Sequence, residues 1–276
     1  MSAWPRPTLS QEDRWRRYDA VEARLTAAVS ERMLDLAEVG TGQRLLDVAS
    51  GRGEPALRAA ARVGPRGQVV ATDGSAAMLD FARLRAAADG LANLRFEVAA
   101  AETLAGVDGP FDAALCRWGL MYMDDPQAAL AAVRQRLRPG APLVAAVWAE
   151  PARVSYWSMP RDLLARHIAL LPEPPDAPGT FRFAAPGQLR DALLSAGLEV
   201  VHESEMATPV MEAATPDALV DWCLAAGLAR ALAGQPTPVW QAWADDMHAQ
   251  GDRYRDTDGM IRLGGVTRIA VARRAG

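Results

Sequence analysis

The chain has 276 residues, half of them hydrophobic, and a formal charge of −4. It is long for one domain and short for two, has ample apolar material for a buried core, and lacks the basic balance of a nucleic-acid enzyme. All thirty basic residues are arginine, Cys116 and Cys223 have neither pairing nor metal-ligand spacing, and no apolar run is long enough to cross a membrane. The start, Met1-Ser2-Ala3-Trp4-Pro5-Arg6, has no signal-peptide core. The expectation is a cytoplasmic monomer or homodimer with no metal, no membrane span and no nucleic-acid partner.

Ser10 followed by Gln11-Glu12-Asp13 predicts a capped helix start, and the periodicity up to about Val39 predicts one or two amphipathic helices, read as a lid over 1–40. Strands are then predicted near 44–49, 68–73, 94–99, 111–116 and 142–148, with helices near 54–63, 75–90 and 126–138 between them. That alternation predicts a Rossmann-like doubly wound, mostly parallel sheet over 41–150, whose short apolar strands are covered on both faces. A helical stretch around Val154 to Leu171 and the proline-rich run from Leu171 to Gly179 are read as a substrate cap over 151–197. A helix from Pro186 to Ala196, a strand near Leu198 to Glu205, two helices across 215–251 and a strand near Met260 to Val271 complete the α/β chain. The part from 198 to 276 is expected to finish a seven-stranded sheet with an antiparallel edge, giving one catalytic domain overall.

The run from Leu45 to Leu57 reads as a buried strand turning through Gly51 and Gly53 into a helix. Twenty residues after Gly53, the second strand ends in Asp73, placed to grip ribose hydroxyls. Gly51, Gly53 and Ala56 also satisfy a dinucleotide pattern, so charge has to discriminate. A diphosphate on the helix N-terminus would meet Asp47 and Glu54, whereas a cation would be welcomed there. S-adenosylmethionine fits, with a ribose, an ammonium, a sulfonium and no phosphate. On this reading a branched side chain at position 51 or 53 fills space reserved for the cofactor's methionine portion and leaves folding intact. A nicotinamide-dependent oxidoreductase is the alternative, and a non-catalytic binding protein of the same fold is a second.

The chain resembles the class I S-adenosylmethionine-dependent methyltransferases, in particular the ubiquinone/menaquinone-biosynthesis-like branch that modifies small molecules. The resemblance rests on Leu46-Asp47-Val48-Ala49-Ser50-Gly51-Arg52-Gly53, Ala71-Thr72-Asp73-Gly74-Ser75-Ala76-Ala77-Met78-Leu79, Phe111 to Leu120, and Leu137-Arg138-Pro139-Gly140. It implies that Asp47, Ala49, Gly51, Gly53, Asp73, Gly74, Met78, Ala101, Glu102 and Arg117 line the cofactor. Ala49 replaces a commoner glycine. Ala100 stands where the family usually has an aspartate accepting from the adenine amine, which leaves Glu102 or a backbone carbonyl as the substitute acceptor.

Arg117 and Trp118 follow the fourth strand and are expected to open onto the transfer site, the other reading being that Arg117 pairs with Asp112 or another acid and Trp118 merely packs. Trp15 and Tyr18 are one helical turn apart, either a lid over the cofactor or a core pair. Trp148, Tyr156, Trp157, Met159, Phe181 and Phe183 give the insert an unusual aromatic share, read either as a flat-walled pocket or as packing. Tyr18, Trp118, Tyr122, Tyr156 and Trp157 are the substrate-contact candidates for a small apolar or aromatic acceptor. No catalytic base is evident. Among His167, His202 and His248, His167 is the best of three poor candidates. Transfer to O, N or C stays open.

Overall fold

The computed structural model describes residues 9–170 and 177–276. Residues 171–176 of the proline-rich run lie outside it. Helices α1 (Gln11–Leu25) and α2 (Ala27–Leu36) come first, and the Ser10 hydroxyl caps α1 by accepting from the Asp13 N–H at 3.1 Å. Next come β1 (Arg44–Val48), α3 (Ala56–Val63), β2 (Gln68–Asp73), α4 (Ala76–Ala88), β3 (Leu94–Val98), β4 (Ala113–Arg117), α5 (Pro126–Arg136) and β5 (Pro142–Trp148). The Ser75 and Asp125 side chains cap α4 and α5, and Pro126 opens α5, the position where a missing N–H costs nothing. The chain ends with α6 (Ser155–Leu164), α7 (Gln188–Ser195), β6 (Leu198–Ala213), α8 (Pro216–Cys223), α9 (Ala229–Leu232), α10 (Thr237–Gly251) and β7 (Ile261–Arg274).

The seven strands form one sheet in the order β3-β2-β1-β4-β5-β7-β6. The first five pair in parallel, and β7 enters antiparallel to β5 from Pro142↔Arg273 to Trp148↔Thr267. This is the doubly wound, mostly parallel sheet that the alternation predicts. All seven residues of β5 are buried, as a strand covered on both faces requires.

Three elements differ from their predicted extent. Strand β6 runs to Ala213, eight residues beyond the expected Glu205. The helix expected to reach Leu171 stops at Leu164, and Pro160 lies inside it. The expected pair of helices across 215–251 is three, because a π-turn at Leu224–Leu228 carries Gly227 at φ 125°, and Gly234-Gln235-Pro236 separates α9 from α10.

The chain forms two compact units whose borders cross the sequence-based divisions. One, the sheet unit, takes the described residues of Ala28–Glu150, Pro174–Met206 and Thr267–Gly276. The other, the helical unit, takes those of Met1–Ala27, Pro151–Glu173 and Ala207–Val266. Helix α2 therefore belongs with the sheet, although the sequence groups it with the N-terminal lid. The sheet unit buries Val29, Met33, Leu45, Ala59, Val69, Leu115, Val144 and Ile269 in one apolar cluster. The helical unit has its own core of Trp222, Trp240, Trp243, Met159, Met211, Met247 and neighbouring leucines.

Candidate active site

The site is built at the carboxyl ends of β1, β2 and β4. After Val48 the chain turns sharply, with Ala49 at φ 55°, Gly51 at φ 54° and Gly53 at φ 103°. The glycines adopt these angles freely, whereas Ala49 carries a Cβ and holds its left-handed conformation only because its surroundings fix it. Here almost every residue is fixed. The Ser50 N–H donates to Thr72 O at 2.8 Å, Gly51 N–H to Asp73 Oδ2 at 2.9 Å, Gly53 N–H to Ser50 O at 2.9 Å and Ala56 N–H to Asp47 Oδ2 at 3.0 Å.

Asp47 is fully buried, and burial pushes its carboxyl up to about 8 despite the nearby Arg117 charge and the Ala56 N–H, which favour ionisation. Its Oδ1 has no hydrogen-bond partner among the described residues, and neither has the buried Ser50 hydroxyl. Asp73 accepts from Gly51 N–H and, through Oδ1, from Ser75 N–H at 2.8 Å. Each oxygen keeps a lone pair, so ribose hydroxyls can still be accepted. A Cβ at Gly51 would approach only Met78 Sδ, at 3.8 Å, and one at Gly74 would meet nothing within 4 Å. An orphaned carboxyl oxygen, which a neighbouring ammonium would return to its ionised form, an orphaned hydroxyl, a ribose acceptor and open space over Gly51 fit a ligand carrying an ammonium and a ribose.

Other expected residues are placed differently. A Cβ on Gly53 would lie 2.9 Å from Leu57 Cδ1 and 3.3 Å from Ala82 Cβ. Gly53 therefore allows α3 and α4 to close on the turn, and substitution there cannot leave folding untouched, as the sequence had led us to expect. Glu54, expected to welcome a cationic ligand, is 8% exposed. Its carboxylate accepts from Arg58 Nε at 3.1 Å and from Arg85 Nη2 at 3.0 Å, so it offers little charge to any ligand. Glu102 Oε1 accepts from the Asp124 N–H at 3.1 Å, and its Oε2 has no hydrogen bond among the described residues. Ala100 O accepts from the Leu104 N–H at 2.8 Å.

Arg117 is not paired with Asp112. Asp112 accepts from the Arg44 N–H at 2.7 Å and pairs with Arg138, while Arg117 Nη1 donates to the buried Ser30 hydroxyl at 3.0 Å. Trp118, at φ 55°, stacks on Trp148 with centroids 4.4 Å apart and 13° between planes, and the Arg117 guanidinium lies 4.8 Å from the Trp118 centroid. Tyr122 OH meets Thr180 Oγ1 at 3.0 Å. Buried Cys116 has its thiol pushed up to about 12 by desolvation, which makes it a packing residue and no nucleophile.

Of the remaining candidates, His202, exposed on β6, and Phe181 and Phe183 belong to the sheet unit, and the others belong to the helical unit. Tyr18 is 7% exposed and stacks on Trp222 at 4.5 Å, so within that unit the Trp15/Tyr18 pair is core. Tyr156 packs half-buried against the same core, and Trp157 carries the Arg161 guanidinium 4.4 Å from its centroid. His167 Nε2 lies 3.0 Å from Asp246 Oδ2, and His248 Nε2 lies 3.3 Å from Asp217 Oδ1. Among the described residues no cluster of His, Cys, Asp or Glu is arranged to hold a metal ion, and no helix is long and apolar enough to cross a membrane.

Sequence reasoning missed Ser30 and Arg85. Each meets the site from far along the chain, 87 residues from Arg117 and 31 from Glu54 respectively. No local pattern marks them.

A sheet in this order, with a glycine turn after β1 and an acid ending β2, defines a Rossmann-like methyltransferase architecture. Residues 45–140 match the family model described as a methyltransferase domain. Nocamycin O-methyltransferase of Saccharothrix syringae is 31% identical over 220 residues, covering 76% of this chain and 78% of that protein. The ubiquinone/menaquinone biosynthesis C-methyltransferase UbiE of Pseudomonas fluorescens is 35% identical over 119 residues, 43% of this chain and 46% of that protein, so the chain spans less than half of this relative. Geranyl diphosphate C-methyltransferase of Streptomyces coelicolor, solved with Mg2+, geranyl diphosphate and S-adenosyl-L-homocysteine, shares the fold at a TM-score of 0.54 and 17% identity over 99% of this chain and 89% of that one. The chain belongs to the S-adenosylmethionine-dependent methyltransferases, and its core is similar to that of the UbiE enzymes. Nothing in the comparisons supports the oxidoreductase alternative.

Proposed function

We propose that this enzyme methylates a small, flat, apolar or aromatic acceptor, and that the atom methylated is oxygen. The Trp118–Trp148 stack carries the first half of this reading. Gly119 directly follows Trp118, and a Cβ built on it would lie 2.5 Å from the Ala49 Cβ, so the indole pair adjoins the glycine turn. Trp118, half-buried after β4 and backed by the buried Trp148, offers an apolar contact suited to a planar ring and contributes through dispersion and desolvation. The choice of oxygen rests on the O-methyltransferase relative, whose similarity reaches far beyond the methyltransferase core. C-methylation, the activity named for the UbiE relative, is the second reading.

When bound, S-adenosylmethionine supplies an electrophilic methyl whose leaving group needs no protonation. The chain's own contribution is then binding and alignment. Asp73 would accept ribose hydroxyls, Asp47 at the end of β1 and Ser50 in the turn would provide acceptors, and Met78, Gly74, Ala101 and Glu102 Oε2 would border the adenosine. Trp118 and Tyr122 orient the acceptor. Such orientation is worth roughly 7 to 11 kcal/mol in favourable systems. We further propose a cytoplasmic setting, supported by the two free thiols, a monomer or homodimer, and no nucleic-acid substrate, supported by the net negative charge.

The test is transfer of labelled methyl from S-adenosylmethionine to a panel of phenols, hydroquinones and enolised 1,3-dicarbonyls, with products extracted into organic solvent and the new bond assigned by NMR. O-methyl products support the proposal, and C-methyl products establish the second reading. Binding of S-adenosylhomocysteine with no turnover on any member of the panel would leave a cofactor-binding protein in place of an enzyme for such acceptors.

A further inference from the structure

Behind the glycine turn lies a charged cluster that the proposed function does not use. Glu54 accepts from Arg85 Nη2 at 3.0 Å and from Arg58 Nε at 3.1 Å, and its Oε2 lies 3.5 Å from the Ser30 hydroxyl. Ser30 in turn accepts from Arg117 Nη1 at 3.0 Å. Arg85 Nη1 donates to Arg52 O at 2.8 Å, so one guanidinium spans a carbonyl inside the turn and the carboxylate that closes it. Ser30 is fully buried, Glu54 nearly so, and the Arg85 side chain is 21% exposed.

Burying such groups is expensive, and apolar residues of the same size often stabilise a fold as well or better. A cost of that kind is repaid where a specific geometry is required. The geometry at stake is visible, because the cluster touches the glycine turn at Arg52 and Glu54, helix α4 at Arg85 and the end of β4 at Arg117. These three segments carry Gly51, Met78 and Trp118. The cluster also borders two non-glycine residues held in the left-handed region, Ala49 in the turn and Trp118 after β4, both at φ 55°.

We infer that Glu54 is a positioning residue, a buried clamp that through Arg85 and Ser30–Arg117 holds the three cofactor-lining segments in register from behind and sets cofactor affinity without touching the cofactor. Glu54→Gln keeps the size and one acceptor but removes the charge that pairs two arginines. Arg85→Met keeps the stem but removes the bridge from Arg52 O to Glu54. Both act through the same contact, so their effects on affinity are not additive.

The inference rests on the assignment of these segments to the cofactor site, so the experiment includes Asp73→Ala as the marker of that assignment. Calorimetric titration of S-adenosylhomocysteine into the full chain is made for the parent, Glu54→Gln, Arg85→Met, the double variant and Asp73→Ala. Each single clamp variant is expected to bind about tenfold more weakly, the double variant no more weakly than the worse single, and Arg85→Lys to recover part of the loss. Arg85→Lys also serves where Arg85→Met does not fold, since its intermediate affinity reads the same contact. Clamp variants that bind within about twofold of the parent while Asp73→Ala is weakened, or losses that simply add in the double variant, would overturn the clamp. If Asp73→Ala binds like the parent, the cofactor-site assignment itself fails.

Discussion

The sheet unit and the helical unit bury different chemistry. In the sheet unit the buried set includes Ser30, Asp47, Ser50, Glu54, Thr72, Thr180 and Arg268, and Asp47 and Thr72 bond to backbone groups flanking one turn. The helical unit buries four tryptophans, three methionines and a set of leucines, with few polar side chains among them. A ligand held by main-chain turns and fixed carboxylates needs a particular backbone, and a particular backbone needs particular residues at particular spacings. A surface that works through apolar shape accepts many residue sets of equal volume. The first kind of site is written in motifs, and the second in packing.

Gly53→Val attacks the turn from its packed side and should have the largest effect. The positive φ and the overpacking against Leu57 and Ala82 together should cost about 2 to 5 kcal/mol of stability in denaturant unfolding. Gly51→Val carries the strain but meets open space, so its loss of stability should be smaller and its loss of cofactor binding larger. Equal stability losses would erase the distinction between the two faces of the turn. Asp73→Ala comes next. It leaves ribose hydroxyls and the Gly51 and Ser75 N–H groups without their acceptor and should weaken S-adenosylhomocysteine binding by about 2 to 3 kcal/mol in calorimetry.

Trp118→Ala and His167→Ala sharpen the comparison from the catalytic side. Loss of the indole contact should lower turnover by more than about tenfold, since alignment is the main contribution of the chain. His167→Ala, in the helical unit, should keep at least about a tenth of the rate, whereas a loss of 10² to 10⁴ would identify His167 as a general base. The last effect is on pH. The Asp47 carboxyl is raised to about 8 by burial in the folded protein, while in the unfolded chain it titrates near 3.8. Its contribution to stability is therefore complete below the lower value and lost as pH rises through the higher one. The cofactor-free melting temperature should fall between pH 5 and 8.5, and Asp47→Asn should flatten that fall; a parent profile no steeper than the variant's would contradict the buried, protonated Asp47.

The strands from β1 to β5 and Asp73 at the end of β2 were legible because each is a local pattern, a short apolar run or a fixed spacing. The charge argument reached the right cofactor class through an incomplete reason. Asp47 does lie at the end of β1 beside the turn with an unpartnered oxygen, but Glu54 faces away, neutralised by arginines that lie 4 and 31 residues further along the chain. Residue type and spacing show that a charge is present; they do not show whether a distant partner has consumed it. The same limit hid Ser30 and Arg85, and it left Arg117 between two readings until the structure placed it on Ser30. Tyr18 was ambiguous for a different reason, since an aromatic one turn from another fits a core and a lid equally well until its stacking partner, Trp222, is known.

Gly119 and Ala49 share room for a single methyl group. A Cβ on residue 119 would stand 2.5 Å from the one that residue 49 carries and 3.2 Å from Cys116 Sγ, so the alanine at 49 obliges a glycine at 119. Ala49 holds a left-handed conformation at φ 55°, which for a residue with a Cβ costs roughly 1 to 2 kcal/mol. The two positions therefore form an exchangeable pair, in which a chain with glycine at 49 would shed that strain and remove the nearest obstacle to a side chain at 119. Descendants of this sequence can be expected to move along that exchange one residue at a time, always losing the methyl at 49 before gaining one at 119.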